Sequence, residues 1–310
     1  MRMAADTNKE LDDRAAPRPS AGTVMVCLVG EQPIPNLLPI RHFKPAQVIL
    51  LETPTTKRVG DNLKRLLQPA FEIYSHPCSP YEIVTAQDAL RDLVSRRVPN
   101  DSPLLFNVTG GTKPMCLATF QVASELRAPV IYLQSEGGEN VLYRYLFQND
   151  KLVLEKKGLI GELLNIDDYL RAHGLAYSQQ ETKNLFERFV FDALRPHVSE
   201  IVPGVAVDTL EIDLVIRCQN QVGVAEVKSG KAAERKSGID QLSTASHREF
   251  LGTYTKRLLI VDRSLGTNNQ RLAEAHGINV IRLSGDHRTG LSGEESKHLV
   301  KVVREVIGRS

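Results

Sequence analysis

Short, nearly unbroken apolar runs alternate with stretches of helical periodicity through the first half of the chain. Thr23 to Val29, Gln47 to Leu51, Phe71 to Tyr74, Leu104 to Val108 and Val130 to Gln134 read as strands. Between them, Thr56 to Leu67, Pro80 to Arg97 and Thr112 to Leu126 read as helices, the first with Thr55 or Thr56 as N-cap. A further helix start is expected in the polar loop after the first strand, around Pro33 to Ile40. Strands apolar on both faces and separated by helices predict a parallel α/β sheet with Rossmann-like winding. Gly137 and Gly138 mark a turn, and Val141 to Leu146 with Leu152 to Lys156 read as a closing antiparallel pair.

A second cycle follows a connector. Leu159 to Ala172 is short and partly helical in pattern, and Gly174 to Gln180 is polar. Leu185 to Leu194 is an amphipathic helix. Glu211 to Ile216 and Val222 to Gly230 form a β-hairpin. Ala232 to Phe250 is expected as a helix weakened at Gly238, and Lys256 to Val261 as a strand. Asn268 to His276 is a helix, Ile278 to Leu283 a strand, and Glu294 to Ile307 a closing helix. The expected organisation is therefore a tail at 1–21, an N-terminal domain at 22–158, a connector at 159–180 and a C-terminal domain at 181–310.

Composition narrows the class. The chain has 310 residues, 42% hydrophobic and 25% charged, as in ordinary soluble proteins. Its net charge of +2 gives no global attraction to nucleic acid, so any such binding needs a local patch. Cys27, Cys78, Cys116 and Cys218 are far apart, with no CxxC and no paired His, which argues against a structural zinc site and a disulfide framework and fits a reducing cytoplasm. No apolar run reaches transmembrane length. Met1 to Ser20 is polar with both charge signs, and disorder is expected there.

The hairpin carries the densest chemistry. Asp213 sits in an apolar strand, and Glu226-Val227-Lys228 ends another thirteen positions later. Side chains alternate across a strand, so Glu226 and Lys228 share a face. Paired strands lie about 5 Å apart, so Asp213 can stand beside Glu226. Two carboxylates suit a hard divalent cation that keeps water ligands. A lysine beside them can orient a water and offset charge on a phosphodiester. A solvated surface ion pair would give the same bare pattern, but charges inside apolar strands are costly unless paired or metal-bound.

The N-terminal half offers a different site. Asn107, Thr109, Gly110, Gly111, Thr112 and Lys113 end a buried strand and open a helix. Glycines admit close backbone approach, and a helix start presents free N–H groups to an anion. The spacing is neither a Walker A nor a GxGxxG motif. Gln32 and Asn36, after the first strand, can hydrogen-bond a base or ribose, Asn36 alternatively serving as an N-cap. Thr53, Thr55 and Thr56 add hydroxyls to the same rim.

The segment Gly30 to Ile40 (G-x-Q-P-I-P-N-L-L-P-I) and the run Asn107 to Lys113 (N-x-T-G-G-T-K) resemble the CARF domains of CRISPR-associated effector nucleases. Asp213 and the Glu226-Val227-Lys228 run resemble the PD-(D/E)xK nuclease superfamily, although Ile212 stands where its proline would be. The combination resembles the Card/Can group over residues 22–310. That resemblance implies a CARF domain joined to a PD-(D/E)xK, restriction-endonuclease-like domain. It implies a homodimer that binds a cyclic oligoadenylate, usually cyclic tetra-adenylate, and then cleaves DNA or RNA with Mn²⁺ or Mg²⁺. It marks Asn107 and Thr109 to Lys113 as the ligand loop, joined by Gln32 and Asn36. It marks Asp213 and Glu226 as metal ligands, Lys228 as the catalytic lysine and Glu187 as the helical acid. The chain is shorter than expected for the group.

Two other readings are open at this stage. One is a sensing regulator that binds DNA without cutting it; the connector is too short and too poor in basic residues for a helix-turn-helix. The other is a ring nuclease acting on the messenger, for which no general base stands near Lys113. Lys231, Arg235 and Lys236 read as a solvated helix face or a phosphate contact. Gln241 is a candidate accessory residue, and His247 and His276 read as structural or surface residues.

Overall fold

The computed structural model describes residues 22–68, 70–136, 139–149, 151–182, 184–207, 210–245, 250–252, 254–285 and 287–308. The expected tail at 1–21, the Gly137-Gly138 turn and His247 lie outside them.

The first sheet is built from β1 (Val24–Leu28), β2 (Gln47–Glu52), β3 (Glu72–Pro77), β4 (Leu104–Asn107), β5 (Val130–Glu136), β6 (Glu139–Gln148) and β7 (Lys151–Leu159). Its order is β3-β2-β1-β4-β5-β6-β7. The first five strands are parallel, and β6 and β7 close the sheet antiparallel. Four helices accompany them: α1 (Ile34–Phe43), α2 (Lys57–Leu67), α3 (Ile83–Arg97) and α4 (Lys113–Glu125). Every residue of β1 is buried, because helices cover both faces. The chain winds outward from β1 through β2 and β3, then returns to β4 on the other side. The β1/β4 boundary is thus the topological switch point, where ligands of open α/β sheets bind at the carboxyl edge.

After α5 (Ile166–Ala172) the second sheet runs β13-β12-β11-β10-β9-β8. Its strands are β8 (Ser178–Gln179), β9 (Glu200–Val207), β10 (Leu210–Cys218), β11 (Gln221–Lys228), β12 (Lys256–Val261) and β13 (Asn279–Arg282). Strands β8 to β11 are antiparallel, whereas β11, β12 and β13 are parallel. Helices α6 (Leu185–Leu194), α7 (Ser237–Ala245), α8 (Thr267–Ala275) and α9 (Gly293–Ile307) complete the layer. The whole is a two-domain α/β fold.

Strand β9 and helix α7 depart from the sequence expectation. Strand β9 was not anticipated, because Pro203 and Gly204 lie inside it; proline reads as a strand breaker except at edges and irregular pairings. The helix expected over Ala232 to Phe250 is confined to Ser237–Ala245 among the described residues. A short 3-10 turn occupies Gly230–Ala232, and Asp262 pins its start by accepting from the Gly230 N–H at 2.8 Å. The helix expected to begin near Pro33 does form, with Pro39 inside it.

The connector is packed rather than loose. Ile166 and Leu170 of α5 are fully buried in one apolar cluster that also holds Leu37 and Leu38 from α1 and Val205 and Ile212 from the second sheet. Burial of this kind stabilises by about 1.5–3 kcal/mol per side chain. Arg41 of α1 adds a bidentate pair with Asp168 and donates to the Leu163 carbonyl at 2.9 Å. No helix among the described residues is long and apolar enough to cross a membrane.

Candidate active site and candidate anion-binding turn

The β10–β11 hairpin positions the acidic cluster. Its register pairs Leu214 with Ala225 and Val215 with Val224, which continues to Asp213 opposite Glu226. On the other side, β9 pairs Val205 with Ile212 and Pro203 with Leu214, leaving Gly204 opposite Asp213 with a φ of 58°. The ladder is interrupted at that position. The Asp213 carboxylate instead accepts a hydrogen bond from the Val227 N–H at 2.7 Å. Lys228 Nζ lies 3.5 Å from Asp213 Oδ2 and in direct contact with Glu226 Oε1. The structure therefore brings Asp213, Glu226 and Lys228 together.

Their electrostatics follow from burial. The Glu226 side chain is 2% exposed. Loss of water, then repulsion from Asp213, pushes its carboxyl up to about 8 against the opposing pull of Lys228. Burial works against the Lys228 ammonium, yet the two carboxylates beside it hold its pKa above the ordinary lysine value. Glu187, in the first turn of α6, faces the same cluster. Desolvation and the Asp213 charge raise it to about 7. Helix α7 covers the cluster closely: a methyl group on Gly238 would lie 2.9 Å from Leu259 Cδ1 and 3.4 Å from Glu226 Cγ. Gln241 follows one turn later on that helix.

The donor set fits a hard divalent cation. Glu226 Oε1 is buried in contact with the Lys228 ammonium, and Asp213 beside it adds a second carboxylate whose charge repels it. Two carboxylates held this close with one ammonium between them suit a hard cation, which would offset their repulsion. Among the described residues no three His, Cys, Asp or Glu side chains form a ready-made cage. Asp213 and Glu226 would therefore hold such an ion with water completing its shell.

The surrounding candidates are less engaged. Lys236 pairs with Asp240 at 3.5 Å on the surface, and Lys231 and Arg235 are exposed. His276 is exposed at the end of α8, as expected from sequence.

The second site lies at the switch point, where the loops after β1 and β4 meet. Here the structure revises two roles. Asn36 is completely buried; its amide donates to the Leu28 carbonyl at 2.8 Å and accepts from Asn107 Nδ2 at 2.9 Å. It neither caps α1, whose N-cap is Pro33, nor reaches the rim. Asn107 is equally buried and also donates to the Pro35 carbonyl. Its Oδ1 accepts from the Thr109 N–H and hydroxyl at 3.1 and 2.6 Å, and Thr109 Oγ1 accepts from the Leu133 N–H at 2.8 Å. These side chains stitch β1, α1, β4 and β5 beneath the turn.

The glycines serve the same packing. A methyl group on Gly110 would stand 2.2 Å from the Leu28 carbonyl oxygen, and one on Gly111 2.9 Å from Leu28 Cβ at a φ of 75°. Close approach to β1, rather than to a ligand, requires them. Thr112 caps α4 by accepting from the Met115 N–H at 3.3 Å. That leaves Lys113 exposed at the start of α4, where an anion would meet free helix N–H groups. Thr53 is buried in a hydroxyl cluster with Thr55 and Thr56, of which only Thr55 is exposed. Gln32 lies half-buried with its amide over Gly252 of the second domain, a contact that sequence could not reveal.

Residues 24–169 match the family described as the Card1 CARF domain. No curated protein sequence matches. Among solved structures, the chain is similar to Can2 from Sulfobacillus thermosulfidooxidans in complex with cyclic tetra-adenylate. That likeness has a TM-score of 0.70 and 18% identity over 91% of this chain and 98% of that one. Protein VC1899 from Vibrio cholerae aligns with a TM-score of 0.72 and 13% identity over 93% and 100% of the two chains. A type III CRISPR defence DNA nuclease activated by cyclic oligoadenylate aligns with a TM-score of 0.63 and 16% identity. The alignment covers 95% of this chain and 54% of the longer one.

Proposed function

We propose that this chain, whose residues 24–169 form a CARF domain of the Card1 type, is a metal-dependent nuclease switched on by a cyclic oligoadenylate in CRISPR defence. The observation that carries the reading is the Asp213, Glu226 and Lys228 cluster on paired strands of the domain that follows the CARF fold. Similarity to a Can2 solved with cyclic tetra-adenylate makes that ring the leading activator.

The second domain is read as a PD-(D/E)xK nuclease. Asp213 and Glu226 would hold Mn²⁺ or Mg²⁺, with Glu187 across the cluster. Such an ion lowers the pKa of a bound water and steadies negative charge on phosphate. Lys228 orients the attacking water and faces the charge that grows on the phosphate oxygens. Val227, through its N–H, fixes the Asp213 carboxylate so that its remaining lone pairs face the cluster. Glu187, poised near 7, can carry a proton at the same place.

In the first domain, Lys113 and the start of α4 receive messenger phosphate, with Thr55 on the rim. A homodimer is part of the proposal. Tyr81, Val84, Leu117 and Leu154 expose large apolar area on α4, the α3 start and the β7 edge, the kind of surface a second copy covers.

The test is a cleavage panel. Plasmid, single-stranded DNA and RNA are each incubated with cyclic tri-, tetra- or hexa-adenylate, in Mn²⁺ or Mg²⁺, beside controls lacking activator. Cutting that depends on one ring size and on metal supports the proposal. A panel with no cutting under any combination, from folded protein that binds the messenger, refutes the nuclease half of it.

A further inference from the structure

The strand that carries Glu226 and Lys228 runs directly into a loop whose charges the acidic cluster does not use. Asp262, at the end of β12, holds the start of that loop by accepting from the Gly230 N–H. Ala233 is buried in its middle, in the same apolar cluster as Ile239 and Leu242 of α7. The end of the loop returns to the carboxylates: a methyl group on Gly238 would lie 3.4 Å from Glu226 Cγ and 3.6 Å from Lys228 Cγ. Residues 229–238 are therefore tethered to the cluster at both ends and form one rim of it.

This rim is basic. Lys231, Arg235 and Lys236 are all exposed. Lys236 is committed to Asp240 at 3.5 Å, and Glu234 to Arg263 at 3.6 Å. Lys231 and Arg235 have no acidic partner among the described residues. Lys231 follows Lys228 by three positions and Arg235 precedes Gly238 by three, so each Cα lies at most about 11 Å from a residue in contact with the cluster. Nucleotides of one strand of a duplex rise by about 3.4 Å each, so the two cations fall within roughly three nucleotides of a phosphate held at Asp213 and Glu226. Three carboxyl groups face one ammonium in the cluster, and a net charge of +2 gives the chain no general attraction for a polyanion. Local cations have to supply it. No aromatic side chain lies between Ser229 and Gln241 or between Asp262 and Leu272, so the rim offers charge without a stacking face.

We propose that Lys231 and Arg235 hold the phosphodiester backbone of the substrate strand beside the scissile phosphate, without reading its bases. The inference rests on the nuclease reading above and names the part of the substrate that the site grips. Lys231 brings a mobile point charge, and Arg235 a planar fork that takes two phosphate oxygens at once. Contacts of this kind hold ground state and transition state equally, so they lower KM and leave kcat alone. Another basic surface, formed by Lys297, Lys301 and Arg304 of α9, lines a groove with His197. It lies behind the sheet, because α9 shares its core with Val227 whereas Glu226 and Lys228 face α7. That surface is the natural comparison.

Anisotropy titrations of the full chain against KCl, with cyclic tetra-adenylate present and Ca²⁺ as the metal, test this on labelled oligothymidylate, oligocytidylate and oligouridylate. Lys231→Gln and Arg235→Gln should each flatten the plot of log K against log[KCl] by about 0.7 on every strand, the share of one single-strand phosphate. In Mn²⁺ each should raise KM for cleavage several-fold with kcat at saturation unchanged, whereas a folding defect lowers kcat as well. Lys301→Gln should change neither quantity. Wild-type slope and KM in both rim variants, from protein that still cuts, overturn the rim assignment and leave the nuclease reading intact. A slope that flattens in Lys301→Gln alone overturns it too and moves the strand to α9. An effect of the rim variants confined to one base overturns the backbone contact. Expected slopes in a wild type that never cuts keep the contact and overturn the nuclease reading. A wild type that neither binds nor cuts any strand overturns both.

Discussion

His173 closes the connector helix α5 and gives the fold a calculable pH dependence. Its ring is buried against Tyr169, with centroids 4.5 Å apart. Nδ1 donates to the Tyr169 carbonyl at 2.8 Å, which leaves Nε2 as a buried lone pair with no partner among the described residues. A second proton on that ring would be an unsatisfied cation in an apolar core. Burial therefore lowers its pKa from 6.5 to about 4, assisted by repulsion from Arg58. The unfolded ring takes up its proton first. Between pH 6.5 and 4 the unfolded state binds more protons, so stability falls as pH falls through that window and is fully retained above it. The gap, 6.5 less about 4, at 1.36 kcal/mol per unit, corresponds to about 3 kcal/mol across the window. His173→Leu removes the titration while keeping the site apolar. The chain has no tryptophan, so urea unfolding is best followed by circular dichroism at pH 7.5, 6, 5 and 4.5. The wild type should lose about 2–3 kcal/mol more than the variant between pH 7.5 and 4.5. Parallel curves for the two proteins would refute the buried neutral ring.

Gly110→Ala should cost about 1–3 kcal/mol or more, because the new methyl meets the Leu28 carbonyl at 2.2 Å. A variant of wild-type stability that merely fails to bind messenger would return the glycine to a ligand role. Breaking the Arg41–Asp168 pair with Arg41→Met should cost about 3–5 kcal/mol in denaturant unfolding, since it leaves Asp168 buried without its cation; an unchanged midpoint would show that the connector is held by its apolar packing alone. Free Mn²⁺ at 100 times its Kd should stabilise the wild type by about 2.7 kcal/mol and leave Glu226→Ala unaffected. Equal thermal shifts for both would move the metal elsewhere.

How much of this was legible in the sequence depends on the physics at each element. Strands β1, β2 and β4 were readable because buried parallel strands are continuously apolar. The helix α6 was readable from its amphipathic pattern, and the structure adds Asn184 as its N-cap. Strand β9 was hidden by Pro203 and Gly204, whose irregular pairing is what frees Asp213 from a regular ladder. The hairpin cluster followed from strand alternation alone. By contrast, the ligand turn was read too literally. Asn36, Asn107, Gly110 and Gly111 looked like ligand contacts, yet the structure spends them on Leu28, Pro35 and Thr109. Sequence gives residue types at a turn, but only packing tells which of them are already paired. The seam between domains was invisible for the same reason: Gln32 meets Gly252 from 220 positions away.

The central claim is that a messenger bound in the first domain switches on chemistry at Asp213, Glu226 and Lys228 in the second. The most direct measurement is the single-turnover cleavage rate of the wild type and of Glu226→Ala, with and without cyclic tetra-adenylate, in Mn²⁺. Both proteins should bind the messenger equally. Only the wild type should cut, and only with messenger present. Wild-type cutting at the same rate without messenger, or cutting by Glu226→Ala at the wild-type rate, would contradict the account.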